Sequence, residues 1–106
     1  MGRRKYLPLT PSEVKDIVVA LGFVWKRKVG SHAQYERAAL GKRGRSVVTI
    51  DESTDQFDDF LMKSMIEQSS FTRNQFYGAT KKTARKAGLA VYVVPKDTEA
   101  LPVVAS

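Results

Sequence analysis

The first apolar stripe of the chain has helical spacing. Its members lie three or four positions apart and are Val14, Ile17, Val18 and Leu21. Thr10 stands before them as a candidate N-cap, Pro11 suits the first helical position, and Glu13 follows the cap as in a capping box. Gly22 is a natural stop. The pattern predicts a helix over residues 11–21.

Three short segments then have the alternation or the β-branched content of strands. Residues 23–28 place side chains on two opposite faces, with Phe23, Trp25 and Arg27 on one and Val24, Lys26 and Lys28 on the other. Residues 32–37 follow a tight connection at Val29-Gly30-Ser31, and residues 46–50 follow a glycine-rich basic loop at 40–45. Strands joined by short loops predict an antiparallel meander.

The second half of the chain predicts helices. One spans residues 58–68, with buried positions at Phe60, Leu61, Met65 and Ile66. Another runs from its cap, Thr72, through Lys86 to a stop at Gly88. The strand-like run 90–94 either pairs with a sheet edge, binds a partner or stays loose. The order predicts an α+β domain, α-β-β-β-α, with helices on one face of a three-stranded antiparallel sheet and an extra C-terminal helix and tail.

The composition of the chain limits the number of domains and the kinds of functional site that it can form. The 106 residues are enough for one domain and too few for two. With no cysteine and one histidine, His32, the chain lacks a thiolate nucleophile, a disulfide scaffold and the ligands of a zinc site, so we expect no metal and no cofactor. No apolar stretch approaches the ~20 residues of a membrane span, and no apolar segment follows the basic start as in a secretory signal. We therefore expect a cytoplasmic protein without a membrane partner.

Charge indicates a polyanionic partner. The net charge is +7 at pH 7, with cations in excess in residues 1–50 and 71–106 and acids in excess in residues 51–70. Nucleic acid fits this distribution, although a solvated surface of high pI gives the same composition. The acidic segment 51–59 is either a solvated loop or an element that shields Lys26–Lys28 from RNA.

The candidate catalytic residue is His32, in the segment Gly30-Ser31-His32. Histidine is the residue type best suited to exchange protons in the physiological pH range, here with a ribose hydroxyl. Gly30 permits the turn, and Ser31 offers a hydroxyl and a backbone amide to a phosphate. Tyr35 faces opposite His32 and either belongs to the core or stacks on a base. The cations that we expect to contact RNA are Lys26, Arg27, Lys28, Arg37, Lys42, Arg43 and Arg45.

Several segments of the chain, taken in order, carry a family resemblance. They are Leu9-Thr10-Pro11-Ser12-Glu13-Val14, Leu21-Gly22-Phe23-Val24, Arg27-Lys28-Val29-Gly30-Ser31-His32-Ala33-Gln34-Tyr35 and the segment 63–76. This ordered set, within about residues 9–76, resembles the HicA toxin family. HicA toxins are small endoribonucleases (mRNA interferases) with a double-stranded-RNA-binding-domain-like fold. They cleave messenger RNA and are held inactive by a partner antitoxin, HicB.

The resemblance implies a fold, a site and a partner. It implies that His32 is the catalytic residue and that a HicB-type antitoxin covers its face. It also implies that residues 1–106 form a single HicA-like domain, with a core at about 9–76 and a C-terminal extension at 77–106.

The expected reaction is metal-independent cleavage of RNA. His32 takes the proton from a ribose 2′-OH, which attacks the adjacent phosphate and leaves a cyclic phosphate and a free 5′-OH. The second proton comes from Lys28, Ser31 or water, and the sequence does not distinguish them. The alternative class is a binding module that recognises RNA by shape without cutting it. In a further alternative, helix 72–86 enters a DNA groove with residues 72–75 at its N-terminus.

Overall fold

The computed structural model of the protein describes residues 6–38 and 45–94, which form an α+β fold. The elements are α1 (Pro11–Ala20), β1 (Val24–Val29), β2 (His32–Arg37), β3 (Ser46–Asp51), α2 (Asp59–Ser69), α3 (Arg73–Gly78) and α4 (Lys81–Ala87). The three strands form an antiparallel sheet in the order β1-β2-β3. The prediction of an α+β fold with a three-stranded antiparallel meander is confirmed.

The start of α1 follows its capping residues. The Thr10 hydroxyl accepts a hydrogen bond from the Glu13 amide, and the Glu13 carboxylate accepts one from the Thr10 amide. The helix ends at Ala20, and Gly22 follows with a φ of 100°, which favours glycine. The local signals in the sequence therefore predict the start of this helix correctly. They place its end at residue 21, one residue beyond the observed end at Ala20.

β2 and β3 alternate between two faces. Ala33 pairs with Ile50 and Tyr35 with Val48, and all of these side chains are buried in the core together with the apolar stripe of α1. The opposite face, called here the outer face, carries the pairs His32–Asp51, Gln34–Thr49 and Glu36–Val47. The sheet therefore turns one face to the core and holds His32 on the other.

β1 is exposed on both of its faces. Every side chain from Val24 to Val29 is exposed, including Trp25 at 57%. Phe23, just before the strand, is buried and anchors this segment to the core. The apolar residues of β1 therefore add surface and not core.

A β-bulge at Lys26 changes the faces of β1. Trp25 pairs with Tyr35 and Arg27 with Gln34, so Lys26 is an extra residue without a cross-strand position of its own. The strict alternation predicted for residues 23–28 is therefore wrong beyond this point. Arg27 shares the outer face with its partner Gln34, whereas Lys28, paired with the buried Ala33, lies on the other face.

α2 buries a different stripe from the one predicted. Phe60 is 75% exposed and Leu61 is 40% exposed, so their prediction as core residues is wrong. The buried side chains are Met62, Met65, Ile66 and Ser69, which lie three or four positions apart. Phe60 and Leu61 lie in the first turn of the helix, next to this stripe but not in it. Their hydrophobicity alone predicted burial, whereas the helical spacing of the buried stripe excludes them.

α2 also covers the free edge of the sheet. The side-chain carbonyl of Gln68 accepts a hydrogen bond of 3.1 Å from the Thr49 amide. The hydroxyls of Ser46 and Ser70 are hydrogen bonded at 2.9 Å. These contacts join the helix to β3, whose edge would otherwise offer unpaired backbone groups.

The helix predicted from residue 72 to residue 86 is interrupted. Thr72 caps α3, which ends at Gly78, and Thr80 caps the separate helix α4. A Cβ at Gly78 would lie 2.8 Å from the Ala90 carbonyl oxygen, and the Gly78 carbonyl accepts a hydrogen bond from the Tyr92 amide. Residues 90–92 therefore cross the chain at the break instead of forming a strand. The stop at Gly88 is confirmed, since Gly88 is left-handed at the end of α4.

α4 is fastened to α1 by a buried carboxylate. Glu13 is 4% exposed and accepts a hydrogen bond of 2.7 Å from Lys86, with Lys82 at 3.2 Å.

The boundary predicted at residue 77, between the core and the C-terminal extension, falls inside α3, where Phe76 and Tyr77 are both buried in the core. Across residues 6–38 and 45–94, no helix is long and apolar enough to cross a membrane.

Candidate active site

The site begins at the turn between β1 and β2. Val29 pairs with His32, so Gly30 and Ser31 form a two-residue hairpin loop. Gly30 has a φ of 60°, as the first central residue of a type II′ turn requires, and a Cβ there would meet no atom within 4 Å. Backbone conformation and not crowding therefore explains glycine at this position. The turn sets His32 as the first residue of β2.

His32 lies on the outer face opposite Asp51. The two residues are cross-strand partners, and His32 Nε2 is 3.8 Å from Asp51 Oδ2. The His32 side chain is 56% exposed, so a large substrate can reach it. An accessible imidazole beside a carboxylate is an arrangement that can accept and release protons.

The Asp51 carboxylate is held by hydroxyl and amide donors. Its Oδ1 accepts hydrogen bonds from the Ser53 hydroxyl at 2.7 Å, the Ser53 amide at 2.9 Å and the Ser31 hydroxyl at 2.9 Å. These bonds, those from Ser53 foremost, lower the pKa of Asp51 to about 2. Asp51 is therefore ionised at neutral pH beside the imidazole.

A cavity of about 230 Å³ opens next to this pair, between the outer face of β3 and α2. Its lining includes His32 and Asp51 at one end and the polar side chains of Thr49, Ser64 and Gln68 along the wall. Phe57, Leu61 and Met65 supply the apolar part of the lining. The exposed Leu61 therefore contributes to this cavity and not to the core.

Two cations predicted to contact RNA share one acid. Glu36, on the outer face, lies 3.6 Å from Lys26 and 2.8 Å from Arg45. Arg27, on the same face, donates to the Gln34 side-chain carbonyl at 3.0 Å. All three cations are exposed to solvent, and Glu36 partly offsets the charges of Lys26 and Arg45.

Lys28 is directed away from that group. It lies 2.9 Å from Glu52, whose other oxygen pairs with Lys15 of α1. The hydrogen bonds from Lys15 and Lys28 lower the pKa of the Glu52 carboxyl, and the bond to Glu52 raises the pKa of Lys15. The first acids of the segment 51–59 are therefore engaged with basic side chains.

Two predicted RNA contacts lie in the interior. Arg37 is 6% exposed, donates to the Leu21 carbonyl at 3.0 Å and stacks over the Phe71 ring, so its assignment to the RNA surface is wrong. Tyr35 is 8% exposed and belongs to the core, which settles its two interpretations. Arg37 lies two residues after Tyr35 and therefore on the same face of β2. The alternation of the strand thus already indicated that Arg37 is buried. Lys42 and Arg43 lie outside the described residues.

Asp51 is the residue that the sequence did not connect to His32. The two are far apart along the chain, and Asp51 reads as the first residue of an acidic loop. The strand ends of β2 and β3 bring them together. Pairing the predicted strands in register would have given this neighbour, but the register was not fixed by the sequence pattern.

The predicted DNA-reading residues serve to begin α3. Thr72 and Gln75 form a capping box, and Arg73 stacks over the Tyr77 ring at 5.2 Å. The part of the chain that the structure describes holds no group of three or more His, Cys, Asp or Glu side chains placed for a metal ion.

Comparisons with known proteins add no family assignment. No protein-family model matches the chain, and no curated protein matches it significantly.

Proposed function

We propose that the protein is an endoribonuclease toxin of the HicA type, which binds messenger RNA and cleaves it with His32. The observation that carries the proposal is the exposed imidazole of His32 on the outer face, next to the ionised Asp51 and a cavity. The proposed fold is that of the double-stranded-RNA-binding domain, in which helices pack on one face of a three-stranded antiparallel sheet.

The proposed reaction is transesterification within the RNA strand. His32 accepts the 2′-OH proton, the 2′-oxygen bonds to the phosphorus, and the bond from phosphorus to the 5′-oxygen breaks. Ser31 already donates to Asp51 and Lys28 is paired with Glu52, so we assign the proton of the leaving oxygen to water. The products are a cyclic phosphate and a free 5′-OH, and no metal or cofactor takes part.

The proposed substrate contacts extend from the turn along the outer face to the cations around Glu36. The exposed cations Lys26, Arg27 and Arg45 supply positive charge for phosphates, and the amides of Gly30 and Ser31 can donate to them. An antitoxin of the HicB type would cover this same face and act in the cytoplasm.

The proposal is tested with purified protein and labelled RNA in the presence of a chelator. We expect wild-type protein to cleave the RNA and leave a cyclic phosphate, and His32→Ala to lose about 10²–10⁴-fold in rate while remaining folded. Cleavage by folded His32→Ala at the wild-type rate would refute the proposal. Salt-sensitive retention of uncut RNA by the wild type would indicate a binding module.

A further inference from the structure

The orientation of the Asp51 carboxylate is fixed by three donors. All of them, from Ser31 and Ser53, bind the same oxygen, Oδ1. Oδ2 is consequently presented to the ring of His32, 3.8 Å from Nε2. The two bonds from Ser53 are local, as is common for aspartate in a turn, whereas the bond from Ser31 comes from the hairpin loop before β2 and joins the carboxylate to the turn that places His32.

The backbone register also favours this pairing. The Glu52 amide donates to the Ser31 carbonyl at 2.7 Å, which makes these two residues a hydrogen-bonded pair. Hydrogen-bonded and non-hydrogen-bonded pairs alternate along an antiparallel ladder, so His32 and Asp51 form a non-hydrogen-bonded pair. Side chains approach most closely in pairs of this kind, and a hydrogen bond between Nε2 and Oδ2 needs their separation to close from 3.8 Å to about 3 Å.

We propose that Asp51 is the positioning residue of His32, accepting the Nε2–H bond of the neutral imidazole so that Nδ1 serves as the base. The proposal rests on the proposed function, since it names the group that orients the proposed catalytic base. Ser31 and Ser53 act through Asp51 by holding its carboxylate.

Asp51 has two effects in this arrangement. It fixes the tautomer, because an acceptor at Nε2 keeps the single ring proton there and leaves the lone pair on Nδ1. It also stabilises the imidazolium that forms when His32 takes the 2′-OH proton, because Asp51 retains its negative charge.

The tautomer is measured without RNA. In the full chain at pH 8.5, nitrogen-15 shifts of the ring should show the proton on Nε2 of His32. In Asp51→Asn the amide group can donate to Nε2, so we expect the proton to move to Nδ1. Asp55→Asn, an exposed acid of the same loop, is the matched control and should keep the wild-type tautomer. An unchanged tautomer in folded Asp51→Asn would overturn the proposal.

Kinetics supply the second measurement. We expect Asp51→Asn to lower kcat by up to about 10²–10⁴-fold, the loss expected for His32→Ala, with KM nearly unchanged, since the wrong tautomer removes the base and leaves binding intact. Ser53→Ala, which removes one donor to Oδ1, should lower kcat by less and serves where Asp51→Asn fails to fold. A wild-type kcat in both variants would overturn the positioning role.

The two proposals fail in different ways. Cleavage by His32→Ala at the wild-type rate refutes the proposed function, and with it the role of Asp51 in catalysis. Loss of cleavage in His32→Ala together with wild-type kcat and tautomer in Asp51→Asn refutes the positioning role alone.

Discussion

Glu52, in the loop after β3, lies 2.9 Å from Lys28 of β1 and joins it to Lys15 of α1. The acidic segment 51–59 is thus tied to the basic strand at its first residues, through a contact between distant parts of the chain. In the proposed complex with RNA, Glu52 would compete with phosphate for Lys28, which the sequence assigned to RNA and which lies on the face opposite His32. Of the residues Lys26–Lys28, Lys28 is the one that contacts the segment, and the shielding interpretation stays a prediction that replacement of Glu52 tests.

Replacement of Glu52 should therefore strengthen RNA binding. In Glu52→Gln the cations Lys15 and Lys28 lose their shared acid, and we expect tighter binding. The slope of log K against log salt should steepen by about 0.7–0.9 for each cation that gains a phosphate. Glu67→Gln, an exposed acid of α2, is the control for net charge. Equal changes in both variants would show that Glu52 has no specific shielding role.

Arg37 and Arg45 should separate stability from RNA binding. Arg37→Met removes the bond to Leu21 and the stacking on Phe71, and we expect a loss of about 2–4 kcal/mol in the free energy of unfolding, with the salt slope of RNA binding unchanged. Arg45→Met should cost less than about 1 kcal/mol, because Arg45 is exposed, but should reduce the slope. Urea denaturation and binding titrations measure the two effects. A reduced slope in folded Arg37→Met would contradict its structural role.

Stability should fall in acid because of Glu13. Burial raises the pKa of this carboxyl, but hydrogen bonds from Lys86, the Thr10 amide and Lys82 outweigh burial and hold the pKa at about 2, below the ordinary 4.5. The contribution of Glu13 to stability is therefore complete above about pH 4.5 and is lost as the pH falls towards 2.

Glu13→Gln isolates that contribution. We expect it to lower the free energy of unfolding by about 1–3 kcal/mol at pH 7, because Lys86 loses a charged partner. The difference from the wild type should shrink at pH 2.5, where the wild-type carboxyl begins to protonate. Urea denaturation at both pH values measures this, with Glu67→Gln as the exposed control. A difference that is independent of pH would contradict the assignment.

The sequence predicted those parts of the fold that depend on contacts between residues close together in the chain. The Thr10 cap, the Gly30-Ser31 turn and the bounds of β2 depend on neighbouring residues and were readable from the sequence. His32 was found as the sole histidine, and its exposed position follows from the alternation of β2.

The predictions that were wrong or incomplete concern places where segments distant in the chain come into contact. The break between α3 and α4 places Gly78 against Ala90, a close approach that no helix pattern records. The neighbour of His32, Asp51, depends on strand register, and the burial of Arg37 depends on the Leu21 carbonyl at the end of α1. Such relationships are set by packing, which a one-dimensional pattern constrains only in part.

The bulge at Lys26 makes the length of β1 adjustable. The pairs on either side of it, Trp25 with Tyr35 and Arg27 with Gln34, are already in register, so loss of this residue would leave both pairs in place. Deletion of the Lys26 codon would remove a cation while the turn and His32 keep their positions. The chain thus has a site at which evolution can alter the charge of this face in one step, independently of His32 and Asp51.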